Sequence, residues 1–317
     1  MAITDRVEKP AKWSTISKLF KRARLPRSWP DQRARSWARE IKHFSDLPEV
    51  YKAFYEENQL DRLQPFPYTV VSPTFKGGHG RPENERLLWF RDCTVGVLEF
   101  VDSQFSCTYY KPEQIVYLER GSILLHAWIT MVGQDESGLN STTIRYNAVT
   151  DHIMLPFISF LRAATLRAKD VDLEKQRNRF DFLPRSNFKF MSYGQASIQP
   201  GARVISVLFQ PQIRNQILKF SKFFISRLIQ PAHLIILTNG ELIIIRDDDS
   251  QYWSRGDPHG AICSYIPRAR IRDNCLTSVE GGRLQLAAGL SGGKILRVQF
   301  ESTHRLELEQ LVGEMRL

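Results

Sequence analysis

The sequence has little cysteine, no long apolar run and none of the short motifs that carry catalytic chemistry, and each absence narrows what the chain does. No apolar stretch reaches the ~18–20 residues a helix needs to cross a bilayer. The longest candidate, Ile217–Ile229, is interrupted by Lys219, Lys222 and Arg227. Met1–Pro10 is polar and no apolar core of a secretory signal follows it, which predicts a protein made and kept in the cytoplasm. The four cysteines, Cys93, Cys107, Cys263 and Cys275, match neither a CxxC nor a zinc-site spacing. They read as reduced, partly buried thiols, although each pair could lie on neighbouring strands. HExxH, GxSxG and Walker patterns are missing and the histidines are scattered, so no residue set supplies a nucleophile with its base. No enzyme and no cofactor are expected.

What is present is a globular chain with an excess of positive charge. Its 317 residues suit two domains plus an extension, and 42% hydrophobic with 11% aromatic residues argues against wholesale disorder. The formal net charge is +10, and it is uneven: Lys12 to Arg39 holds nine Lys/Arg against one acidic residue, Asp31. Trp13, Ile16, Leu19 and Phe20 fall at helical spacing among Lys12, Lys18, Lys21 and Arg22, the composition of a short helix lying in a membrane interface. A terminal arm that docks Trp13 and Phe20 on its own protein fits the same residues. Asp31–Leu60 reads as a helix pair broken near Leu47-Pro48. Ala34, Trp37, Ala38 and Ile41 lie on one side of the first piece, and Val50, Tyr51, Phe54 and Tyr55 repeat along the second, with Asp46 as its cap.

Beyond residue 65 one plan occurs twice, each time closing on a helix. Tyr68–Phe75, Leu87–Phe90, Thr94–Phe100, Gln114–Leu118, Ile123–Val132 and Thr142–Tyr146 read as strands, followed by a helix near Val149–Thr165. Arg167–Arg185 is charged and reads as linker. In the second half come Ala196–Phe209, Leu234–Leu237, Glu241–Arg246, Ala269–Asn274, Arg283–Ala288 and Ile295–Phe300, then a helix from about Thr303 to Met315. Pro211–Gln230 interrupts this alternation at helical spacing: Ile213, Ile217, Phe220, Phe224 and Leu228 would share a face. Such a helix is apolar around much of its girth, so it is buried between the halves, paired with another chain or laid against lipid.

This order resembles bacterial pleckstrin-homology-like domains, a curved antiparallel sandwich plugged by a C-terminal helix. Leu87–Thr165 and Leu234–Met315 carry the resemblance, and the hairpin His233-Leu234-Ile235-Ile236-Leu237-Thr238-Asn239-Gly240-Glu241-Leu242-Ile243-Ile244-Ile245 is its most similar stretch. It implies a mainly β (α+β) fold of two antiparallel β-sandwich modules, each closed by a helix. The expected boundaries are a basic helical extension over 1–64, a first module over 65–166, a linker over 167–194 and a second module over 195–317 with a helical insert at 211–230. The resemblance also implies binding of lipid, peptide or protein, through a basic cluster in the first loop where the ligand is a phosphoinositide.

In that place the sequence has Lys76-Gly77-Gly78-His79-Gly80-Arg81, with Arg86 and Arg91 beyond; a plain hairpin loop fits it as well. Asp247-Asp248-Asp249 with Asp257 and His259 is the best carboxylate cluster, but it lacks the glycine and distal glutamate of a calcium loop, and no metal is expected there. The neighbouring Tyr252 and Trp253 suit a contact patch. Nucleic acid is not expected as a partner, since no recognition element accompanies the charge. The sequence therefore predicts a non-catalytic protein docking at an anionic membrane surface, the inner face of the cell membrane, through Trp13, Lys18, Phe20, Lys21 and Arg22, with Lys76 and Arg81 as a second anion site. The alternative is a scaffold for protein partners built on the 211–230 helix, with Phe220, Phe224 and Trp253 as contacts. A small-molecule ligand and homo-oligomer formation stay open.

Overall fold

The computed structural model describes residues 37–74, 84–136, 138–165, 171–183, 187–220, 223–248 and 260–316; side chains are excepted at 165, 216–220, 223–226 and 316. It is mainly β with a few helices, and all strand pairs are antiparallel. The first half begins with β1 (Arg39–Ile41) and α1 (Glu49–Glu57), followed by β2 (Thr69–Ser72), β3 (Arg86–Arg91), β4 (Thr94–Val101) and β5 (Gln104–Tyr110), which with β1 form one sheet in sequence order. Next come β6 (Ile115–Ile123), β7 (His126–Asp135), β8 (Gly138–Asn147) and α2 (Asp151–Arg162).

The second half runs through α3 (Leu173–Arg177), α4 (Phe188–Ser197), β9 (Val204–Gln210), β10 (Ile213–Phe220), β11 (Phe223–Gln230), β12 (His233–Thr238), β13 (Glu241–Arg246), β14 (Ala261–Pro267), β15 (Ile271–Val279), β16 (Arg283–Leu290), β17 (Ile295–Phe300) and α5 (Arg305–Arg316). The halves meet inside a sheet. Tyr265 pairs with Leu118 and Ala261 with Ser122, so a seven-stranded sheet runs β8-β7-β6-β14-β13-β12-β9 across both.

Burial explains why these residues form these elements. In β12 and β13 nearly every side chain is buried, because the sheet is covered on both faces and both positions of the alternation must be apolar. One face joins a core with Met154, Phe157 and Leu161 of α2 and Phe190 of α4. The other packs on β15–β17 and on Leu308, Leu311 and Met315 of α5. A third core sets Tyr51, Phe54 and Tyr55 of α1 against Val71, Leu87, Trp89 and Leu98 of the first sheet. At ~25 cal/mol per Å2 of apolar area, each such helix face contributes several kcal/mol before entropy is set against it.

Four expectations need correction. The segment 211–230 is a β-hairpin, not a helix: Arg214 pairs with Leu228, Lys219 with Phe224 and Phe220 with Phe223. Directly opposed residues share a face and successive ones alternate, so Phe220 and Phe224 lie on opposite faces. Arg39–Ile41 is a strand, pairing with Thr69–Val71 where a helix was expected. Asp46 does not cap α1, whose N-cap is Pro48 without a side-chain hydrogen bond. The stretch 167–194 is more than a linker, since Phe180, Leu183 and Phe190 are all buried in the main core and α4 lies against β12 and β13. The strand Gln104–Tyr110 adds to the expected set.

Candidate functional site: a basic cavity at the foot of the β10–β11 hairpin

A cavity of about 370 Å3 opens where three connections of the second half converge. The first is the foot of the hairpin, which supplies Ile213, Arg214 and Asn215 from β10 and Ile229 from β11. Ile213 is buried and anchors the hairpin, while Arg214 and Asn215 are exposed.

The second is the turn between β15 and β16. Val279 and Arg283 are paired, leaving Glu280, Gly281 and Gly282 to make the reversal. Gly281 (φ 76°) and Gly282 (φ 70°) are both left-handed, a conformation that glycine adopts without the steric cost a Cβ imposes. The Arg283 guanidinium folds back over this turn and its Nε–H donates to the Glu280 carbonyl at 2.8 Å. A Cβ at Gly281 would meet that Nε at 3.4 Å, so the bare turn seats the arginine closely.

The third is the junction from β17 into the last helix, Glu301, Ser302 and Thr303. Ser302–His304 forms a 3-10 turn that leads directly into α5, so the positive end of a helix dipole lies at the cavity. This junction is tied to the hairpin by Gln210, fully buried at the end of β9. Its Oε1 accepts from the Glu301 backbone N–H at 2.9 Å and its Nε2 donates to the Pro211 carbonyl at 2.9 Å.

Behind the junction, His233 packs edge-on to Phe300 with ring centroids 4.7 Å apart, and Phe300 meets His304 at 6.0 Å. Burial pushes the His233 pKa down to about 4, with nearby His304 acting in the same direction against the bond to the Pro231 carbonyl. Its Nε2 is buried without a hydrogen-bond partner among the described residues. The cavity lining itself carries two arginines against the single carboxylate of Glu301. Such a set has the charge and hydrogen-bonding groups to hold an anion.

A second polar cluster lies on the seven-stranded sheet near the seam between the halves. Glu119 accepts from Tyr117 Oη and from Trp128 Nε1 (3.1 Å) and lies 3.8 Å from Arg246. Lys294 sits 3.6 Å from the Tyr117 ring centroid, where burial lowers its pKa. These groups satisfy one another across β6, β7 and β13, which fits a role in holding the seam.

Most residues expected to form a site fall outside the described residues: Trp13, Lys18, Phe20, Lys21, Arg22, Lys76, Arg81 and Trp253, as do Asp249, Asp257 and His259. Phe220 and Phe224 are placed in the hairpin by backbone register alone. Arg86 is engaged by Glu99 (2.9 Å) and the Thr143 carbonyl, and Arg91 by Asp92 (3.1 Å) and the Asn58 carbonyl (3.2 Å). Asp247 forms an ion pair with Lys189 of α4, with burial raising its pKa. Among the described residues, no group of three or more His, Cys, Asp or Glu side chains is arranged to hold a metal. The sequence reading missed the cavity, whose one visible sign is Gly281-Gly282 between two apolar runs. No protein-family model matches the chain, and no curated protein matches it.

Proposed function

We propose that this protein is a non-catalytic binding protein that docks at an anionic membrane surface, built of two pleckstrin-homology-like modules fused through one sheet. Support for two modules comes from the repeated order: a helix (α1, α4), four strands interrupted in the second half by the hairpin, three strands, and a closing helix (α2, α5). The observation that carries the docking reading is the hairpin. β10 and β11 pair with each other and with no other described strand. Pro211–Gln230 contains Arg214, Lys219, Lys222 and Arg227 and no acidic residue. By register Leu218, Phe220, Phe223 and Ile225 fall on one face of its distal end. Apolar residues beside basic ones are the composition of a surface that dips into lipid headgroups, with each basic residue contributing on the order of 1 kcal/mol near an anionic leaflet. The basic arm with Trp13, Lys18, Phe20, Lys21 and Arg22 adds to the same attraction, and Lys76 and Arg81 remain a proposed secondary anion contact. Among the described residues no helix is long and apolar enough to cross a membrane.

Sedimentation with vesicles tests this. The intact chain should bind anionic vesicles at low salt and release them at high salt. Phe220→Asp with Phe223→Asp should weaken binding about tenfold or more, and removal of residues 1–30 should weaken it further. Equal affinity of the intact chain and both variants would end the reading.

A scaffold function is favoured by a different observation: among the described strands each hairpin strand pairs on one side only, leaving backbone edges on which another chain could add a strand. Concentration-dependent association in analytical ultracentrifugation, abolished by proline substitutions in β10, would support that reading over lipid.

A further inference from the structure

We propose that the cavity at the foot of the hairpin binds a hydroxylated phosphate monoester, with Arg214 and Arg283 holding the phosphate. This goes beyond membrane docking and does not depend on it. The two arginines line the cavity from different elements, β10 and the start of β16. Guanidinium groups match phosphate oxygens in geometry as well as charge. Arg283 is held for that purpose: its Nε–H is committed to the Glu280 carbonyl at 2.8 Å, which fixes the plane of the group over the Gly281-Gly282 turn.

The turn adds to the site. Two successive left-handed glycines form a turn whose backbone N–H groups offer an anion further partners beside the Arg283 guanidinium that lies over it. Ser302 and Thr303 also line the cavity, at the first turn of the helical stretch that continues through α5. Hydroxyls and helix N-terminal amides are both phosphate partners.

Two features narrow the ligand. The volume of about 370 Å3 lies within the range of small-molecule sites, about 300–1,000 Å3, and leaves room beside a phosphate group. Glu301 also lines the cavity and would repel a bare anion, but it accepts hydrogen bonds from a hydroxyl carried by the same ligand. A phosphate on a short polyol satisfies both arginines and Glu301.

Calorimetric titration of the full chain with glycerol 3-phosphate and with inorganic phosphate reads this directly. Glycerol 3-phosphate should bind more tightly. Arg214→Ala and Arg283→Ala should each weaken it about tenfold, whereas Arg297→Ala, an exposed residue of β17 outside the cavity, should not. Glu301→Gln, which removes the charge but keeps an acceptor, should strengthen inorganic phosphate and narrow the preference for the glycerol ester, a gain that misfolding does not produce. Thermal melts establish that each variant folds. Absence of saturable binding, or equal binding by the folded Arg214→Ala/Arg283→Ala variant, overturns the proposal. Vesicles containing lysophosphatidic acid, which keeps a free hydroxyl beside its phosphate monoester, separate the sources: loss of vesicle binding in the arginine variants, with competition by glycerol 3-phosphate, assigns the ester to a lipid headgroup. Vesicle binding unaffected by those variants, beside lost binding of the soluble ester, assigns it to a free metabolite. Soluble-ester binding without any vesicle binding sustains the cavity and removes membrane docking.

Discussion

The Arg162 guanidinium, at the end of α2, lies 2.9 Å from Glu241 at the start of β13, and both side chains are almost wholly out of solvent. It also sits 3.8 Å from the centroid of the Tyr265 ring and donates to the Ser197 carbonyl at 2.7 Å. One arginine of the first half is thus held by β13, β14 and α4 of the second.

Removing one partner of this pair leaves a buried charge without its counterion. Glu241→Gln and Arg162→Met should each destabilise the fold by about 3–5 kcal/mol in urea denaturation. The double replacement Arg162→Met/Glu241→Leu should cost less than either single change, because no charge is then buried. A double mutant as unstable as the sum of the singles would mean that the pair does not act as a unit.

In both main sheets a tryptophan ring lies over the glycine opposite it: Trp89 over Gly96 and Trp128 over Gly121. A Cβ at either glycine would fall inside the ring. Gly96→Ala and Gly121→Ala should therefore destabilise by about 1–3 kcal/mol, although alanine ordinarily suits a strand better than glycine. Trp128→Leu in the Gly121→Ala background should recover part of the loss, as measured by thermal unfolding.

His233 is buried neutral, with a folded pKa of about 4 against 6.5 for the exposed group. The unfolded chain takes up the proton first, so stability from this residue is complete above pH 6.5 and drains away as the pH falls towards 4. At 1.36 kcal/mol per pH unit the loss approaches about 3 kcal/mol. His233→Leu should flatten the stability profile over that interval; an unchanged slope would place the acid sensitivity elsewhere.

All four cysteines are free, and they differ in access. Cys93 and Cys275 are exposed, whereas Cys263 is buried and its thiol pKa is raised by that burial. Native-state thiol labelling should modify Cys93 and Cys275 within minutes and spare Cys263 until denaturant is added. Rapid labelling of Cys263 would reveal opening of the seam beside β6.

Local pattern made much of this legible. His233–Thr238 and Glu241–Arg246 are apolar strands around an Asn-Gly turn, and both the alternation and the turn chemistry are written in adjacent residues. The amphipathic repeat of Tyr51, Phe54 and Tyr55 likewise marked α1 correctly. At 211–230 the same kind of reading failed. Apolar residues at Ile213, Ile217, Phe220, Phe224 and Leu228 fit a helical period, while the aromatic and β-branched content fits a hairpin equally well. Pairing of β10 with β11 decided the matter, with a shift in register between Gln216 and Leu218 that breaks a simple alternation. Gln104–Tyr110 follows a tight reversal at Asp102 and Ser103, both at positive φ, that no glycine announces.

The sequence by itself determined the β-rich class and most strand positions, because each depends on the period of apolar residues within one short segment. Tertiary structure alone decided that β6 would pair with β14 to make one sheet of two halves, since an edge strand's backbone groups are the same whatever partner completes them. It also decided that Arg214, Arg283, Ser302 and Thr303, far apart along the chain, would line one cavity. Their convergence follows from where three connections end in space, and no spacing within any one of them encodes it.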